Sequence, residues 1–186
     1  MSLRRIAAAL VFVALAACSN LPSPPAPPPD PKTVMGALEQ RIAILIEEQR
    51  EKLEPASHPL AIDPQLSTIA REHSQDMAAK NYIAHASPSG ETTGALLMAA
   101  DPRFQGLLGE DIGALHYAKQ TGVDVDSFAK GFVDLWLKSP KHRENLLMAD
   151  FKLAGIGAAV NGDTVYVTAL FATDLGLGPH DEKRAP

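Results

Sequence analysis

The chain has 186 residues, a net charge of −5, 46% hydrophobic residues and a single cysteine. The acidic balance, with no basic cluster or aromatic-interleaved stripe, argues against nucleic-acid binding. One cysteine rules out an internal disulfide, so the fold must hold together by packing alone.

The N-terminus indicates the compartment. Arg4 and Arg5 precede an uninterrupted apolar run from Ile6 to Leu15, too short to span a bilayer as a stable helix. Leu15-Ala16-Ala17-Cys18 follows, and small residues before a cysteine resemble the bacterial lipobox, in which the signal is cut before the cysteine and the new N-terminus is acylated. Residues 1–17 are thus expected to be a signal peptide and Cys18 the lipidation site, with a plain secretory signal as the alternative. Several acyl chains hold a protein on a membrane where one chain is marginal. Ser19, by the sorting rule of enteric bacteria, favours the periplasmic side of the outer membrane. Loss of Arg4 and Arg5 takes the charge from −5 to −7.

Residues 18–32 read as the lipidated cysteine and a tether. Seven prolines between positions 19 and 31 leave few backbone donors and favour a semi-rigid polyproline II spacer. A ligand for a proline-recognising domain is the other reading. Residues 33–174 have the size of one domain with one core. Residues 175–186 mix glycine, proline and charge and read as a loose tail.

Within the domain, Val34 to Leu53 is predicted to be a helix, with Leu38, Ile42, Leu45, Ile46 and Leu53 as its apolar stripe. Glu47, Glu48, Arg50, Glu51 and Lys52 populate its solvated end. Asp63-Pro64 starts a second helix, a capping residue followed by a proline suited to the first helical position. His73 lies on that helix's apolar stripe and reads as a hydrogen-bonded histidine at the core edge rather than a ligand. A short helix follows from Thr92 to Ala100. Asp124 to Lys138 is another, with Phe128, Phe132, Leu135 and Trp136 facing inward.

Ser139-Pro140 restarts a helical turn, with serine as cap. His142 falls in that first turn, where the positive helix end disfavours imidazolium and leaves the ring able to accept a proton or bind a metal. The last segments change period. Leu153 to Val160 and Asp163 to Thr173 read as strands joined by an Asn161-Gly162 turn. Gly155 and Gly157 leave one face of the first strand bare for a close approach. Gly109 to Leu115 is a third strand. Helices first and strands later imply an α+β domain with an antiparallel sheet.

Zinc-helix, nucleophile-elbow, phosphate-loop and dinucleotide signatures are all missing from the sequence. Chemistry therefore rests on His, Glu, Asp, Ser or a metal they hold.

The motifs now carry a family resemblance. Leu66-x3-Ala70 leads to Asp76-Met77-Ala78, then His85-x-Ser87-Pro88-x-Gly90, then Gly109-Glu110-Asp111-Ile112. Trp136-x2-Ser139-Pro140-x-His142-Arg143-x-Asn145-Leu146-Leu147, Gly155-Ile156-Gly157 and Tyr166-Val167-Thr168 follow in order. This succession, from about Leu38 to Phe171, resembles the CAP superfamily of cysteine-rich secretory, antigen 5 and pathogenesis-related proteins, most of all its bacterial secreted branch.

The resemblance implies an α-β-α sandwich and a cavity lined by two histidines and acidic residues, sometimes holding zinc. Carried over, the cavity residues are His85, Glu110 and His142. The second acid falls at Ser139, so that position is a rim or structural residue here. The usual Gly-Glu-Asn reads Gly-Glu-Asp, and Asp111, beside Glu110 on a strand, points to the opposite face and is expected to bond a neighbouring loop.

Two imidazoles and one carboxylate suffice to hold Zn²⁺ with an open water position. The plainer reading is a hydrogen-bonded network tying loops to the sheet. The expected function is an envelope-anchored binding module for a small ligand, a lipid or cell-envelope material. The alternative is a metal-assisted hydrolase acting on envelope peptide or polysaccharide.

Overall fold

The computed structural model describes residues 26–173. The expected signal peptide, Cys18, the first part of the tether, Asp174 and the tail lie outside the described residues. A 3-10 turn at Pro31–Val34 leads into α1 (Met35–Leu53), followed by β1 (Ala61–Ile62), α2 (Pro64–Lys80) and α3 (Thr93–Ala100). Next come β2 (Leu108–His116), α4 (Val125–Lys138), α5 (Pro140–Leu147), β3 (Leu153–Asn161) and β4 (Thr164–Ala172). Among the described residues, no helix is long and apolar enough to cross a membrane.

Local chemistry sets the helix starts. Asp63, Thr92 and Asp124 each accept a first-turn backbone N–H through the side chain, a contribution of about 1 kcal/mol apiece. Pro64 and Pro140 take first helical positions, where no N–H is needed. Asn81 ends α2 at φ 55°, its N–H on the Met77 carbonyl. Ser139 departs from expectation: it occupies the cap position of α5, but its hydroxyl makes no capping bond. Only its backbone serves, the carbonyl accepting the Arg143 N–H at 2.8 Å.

The sheet order is β1-β3-β4-β2. β3 pairs antiparallel with β4, and β4 with β2, whereas β1 pairs parallel with β3 through Ala61 and Ile62. The sheet is therefore mixed rather than wholly antiparallel, because a two-residue edge strand leaves no period to read. The hairpin also shifts by one residue. Asn161 pairs with Thr164, which leaves Gly162-Asp163 as the loop, and of these only Gly162 has positive φ, at 62°. That is the φ pattern of a type II′ turn.

Helices cover both faces. Leu66, Ile69 and Ala70 of α2 with Leu97 of α3 pack on Leu170 and Ala172. Leu38, Ile42, Phe132, Trp136 and Leu146 join Ile156, Val167 and Phe171 on the other side. The α-β-α sandwich follows.

Three side chains sit elsewhere than their helical period suggested. Leu53 and Leu135 are 36% and 41% exposed; the first lies at a helix end and the second beside Trp136, which takes the inward direction. Arg50 is fully buried. Its guanidinium donates to the carbonyls of Leu146, Met148, His58 and Phe151 at 2.9 to 3.2 Å. The long stem crosses the core, and the cation meets the negative end of α5.

Candidate functional site

β2 is an edge strand, and its alternation sends neighbouring carboxylates to opposite layers. Glu110 faces α3 and the loop between α2 and α3. There His85 Nδ1 lies 2.5 Å from Glu110 Oε1, and Thr93 Oγ1 donates to Oε2. A carboxylate accepts, so His85 carries a proton on Nδ1. The His85 side chain is 52% exposed, while that of Glu110 is 10% exposed. Thr93 is buried at the start of α3.

Other side chains hold the loop that carries His85. His73 Nε2 donates to the Ala84 carbonyl at 3.0 Å, and the Tyr82 hydroxyl donates to Asp76 Oδ2 at 2.7 Å. Ala86 and Thr92 form an antiparallel bridge across the loop. His73 is 3% exposed, so it is the core-edge histidine its stripe position suggested. Ser87 spends its hydroxyl on Ser89 and on the Glu91 N–H.

His142 arrives from the other layer, in the first turn of α5. Its ring centroid is 6.4 Å from that of His85, at an edge-on 65°. Its Nδ1 is buried without a hydrogen-bond partner. Burial first, then the charges of His85 and Lys141, lower its pKa below the usual histidine value of 6.5. The ring is therefore neutral at pH 7.

Asp111 points to α5 and is fully buried. Asn145 Nδ2 donates to its Oδ1 at 2.9 Å and to the Glu110 carbonyl at 3.1 Å, while Oδ2 has no partner. Burial raises the Asp111 pKa to about 7, against the lowering bond from Asn145, and the charge of Glu110 adds to the rise.

The profile of the cysteine-rich secretory protein family, CAP, matches residues 54–172. The chain belongs to the CAP family. The match begins just after α1, so the resemblance read from Leu38 onward extends further toward the N-terminus than the profile does. Uncharacterized protein YkwD of Bacillus subtilis (strain 168) is 30% identical over 128 residues, covering 69% of this chain and 45% of its own length. The chain thus spans about half the length of that curated relative.

An extracellular protein containing a SCP domain from Bacillus anthracis superposes with a TM-score of 0.60 at 32% identity, over 82% of this chain and 45% of that one. An outer surface protein of Borrelia burgdorferi shares the fold, with a TM-score of 0.60 at 24% identity over 74% and 92%. These relatives are by name extracellular or outer-surface proteins, which accords with an envelope association for this CAP domain.

Of the residues carried over from the family, the fold brings His85, Glu110 and His142 together at the open edge of β2. Ser139 stands at the turn before His142 without a side-chain bond, and Asp111 lies on the far face of the strand. As arranged, the three central residues do not fit a three-ligand zinc centre. Among the described residues, no three His, Cys, Asp or Glu side chains are grouped around one ion position. Glu110 stands behind His85 as an orienting partner and spends its oxygens on His85 and Thr93.

Sequence reasoning gave no role to Thr93 or Asn145. Thr93 sits beside the cap residue Thr92 and has no pattern linking it to Glu110. Asn145 did carry a signal, since it lies three residues after His142 and so shares its helix face.

Two clefts of about 210 and 220 Å³ open elsewhere, between α1 and the β1–β3 edge, and share Ala43, Ile62 and Ile156. They contain none of the site residues.

Proposed function

We propose that this CAP domain is an envelope-anchored binding module. Lipid at Cys18 holds it to a membrane, and the His85–Glu110–His142 cluster takes a small ligand, a lipid or cell-envelope material. The observation that supports this reading is the paired imidazoles. Glu110 fixes the tautomer of His85, and a neutral His142 faces it edge-on 6.4 Å away. Imidazole nitrogens exchange hydrogen bonds with hydroxyl, amide or ammonium groups, which envelope sugars and peptides carry.

Among the described residues, no activated nucleophile stands beside the two rings. The metal-assisted hydrolase reading needs a third ligand that Glu110, bound to His85 and Thr93, does not supply. Binding is therefore favoured over catalysis.

The test uses immobilised full-length protein and solubilised envelope peptide and polysaccharide fragments. Wild type retains fragments, and His142→Ala lowers retention at least tenfold; equal retention overturns the binding reading. In cells, Cys18→Ser moves the protein out of the membrane fraction or leaves it uncleaved, and unchanged anchoring refutes the lipid anchor.

A further inference from the structure

We infer that the tether enters the domain at the pole opposite the His85–Glu110–His142 cluster. The anchored protein then presents that cluster away from its own bilayer, to ligands of the surrounding envelope and not to lipids of the anchoring leaflet. This inference rests on the lipid-anchor reading above and adds a direction to it.

The entry point is a built contact. A Cβ placed at Gly122 would lie 2.8 Å from Pro28 Cβ, so Pro28 rests on the bare backbone of that loop, where φ is +68°. The next turn is fastened by Asp30. Its carboxylate accepts the Lys32 N–H at 3.0 Å, and its carbonyl accepts the Thr33 hydroxyl at 2.7 Å and the Thr33 N–H at 2.9 Å. The turn at Pro31–Val34 then contacts α1 and β3. The chain is therefore fixed to the domain before α1 begins.

Two elements measure how far this lies from the cluster. Gly122 lies three residues before the start of α4, whose 14 residues run to the turn before His142. At 1.5 Å per residue that is about 20 Å. β2 gives a second measure. His116, paired with Thr164 beside the hairpin turn, lies at the tether pole, and Glu110 is six residues back along the strand, about 20 Å at 3.4 Å per residue. A helix and a strand from different layers agree. α1 fits the same polarity, since it starts at the tether turn and its Arg50 reaches the end of α5.

The test uses the full acylated chain in phosphatidylethanolamine–phosphatidylglycerol vesicles whose headgroups carry an energy-transfer acceptor. Cys18 is the only cysteine, and its thiol is consumed by lipid, so one introduced cysteine takes the donor dye. Lys119→Cys marks the tether pole and Glu144→Cys marks α5; both positions are exposed. Transfer from position 119 is expected to exceed that from position 144 at least twofold. Equal or reversed transfer, in protein that floats with the vesicles, overturns the polarity alone. Failure of the acylated protein to float overturns the anchor reading, and the polarity falls with it. Pro28→Gly combined with Asp30→Ala leaves the protein bound but shrinks the difference; an unchanged difference shows that this contact does not set the direction.

Discussion

The α2–β3 seam and the edge of β2 lie on one sheet and use it in opposite ways. At the seam a helix backbone lies directly on a strand. A Cβ at Gly155 would sit 2.2 Å from the Leu66 carbonyl carbon, and one at Gly157 would sit 2.1 Å from the Arg71 nitrogen. At the β2 edge the layers part instead, His85 is half exposed, and Asp111 Oδ2 and His142 Nδ1 are buried without partners. Of these two regions, the seam is closely packed and the edge leaves buried polar atoms unsatisfied. Stability should therefore concentrate at the seam, and the site edge should carry a polar cost that the seam offsets.

The largest effect that would break this contrast is at Gly157. Gly157→Ala pushes a methyl into backbone atoms that cannot rotate aside, and the expected loss is more than about 3 kcal/mol in urea denaturation. A loss below about 1 kcal/mol would mean that the seam is loose. Next comes Arg50→Met, which keeps the stem but removes the donors to four carbonyls, two of them in buried bonds. We expect a loss of about 3 kcal/mol by the same measurement, with α5, and so His142, losing its support from α1. A variant as stable as wild type would show that α5 stands without that tie.

Asp111→Asn should act in the other direction. An acid near 3.9 in the unfolded chain and about 7 in the fold binds its proton more tightly when folded. Wild-type stability should therefore fall as pH rises from about 4 to 7, because the fold must then bury a charge. Above pH 7 both states are ionised and the cost is fully present. Asparagine keeps an acceptor for Asn145 and never ionises, so the variant should gain on the order of 2 kcal/mol at pH 8. The gain should vanish by pH 4. Thermal melts of both proteins across that range check it, and a gain independent of pH would remove the buried charge from the account.

These elements differ in how far the sequence exposed them. Asp63-Pro64 and Ser139-Pro140 mark helix starts by local chemistry, and Gly155 and Gly157 mark a bare strand face, so the seam was legible before its partner helix was known. The alternation of Glu110 and Asp111 was legible too, since period two is a property of any strand. Arg50 was not, because a guanidinium amid charged neighbours looks solvated until four carbonyls from distant segments converge on it. The two-residue β1 has no pattern at all. At the site, resemblance placed His85, Glu110 and His142 together, but the bond that turns Glu110 from a candidate ligand into an orienting partner depends on Thr93, on a different element.

The smallest effect on stability is the sharpest test of the comparison. His85 is half exposed and bonds only to Glu110 within the described residues, while Glu110 keeps Thr93 as a second partner, and a pair open to water on one side contributes about 1 kcal/mol or less. His85→Ala should therefore change stability by less than about 1 kcal/mol while lowering retention of envelope fragments severalfold. Loss of binding with unchanged stability would identify the β2 edge as a surface held open for a ligand. A loss of several kcal/mol would mean instead that His85, Glu110 and Thr93 lock the α2–α3 loop to the sheet. The edge would then be a second seam made of polar atoms, and its contrast with Gly157 would be one of chemistry and no longer one of purpose.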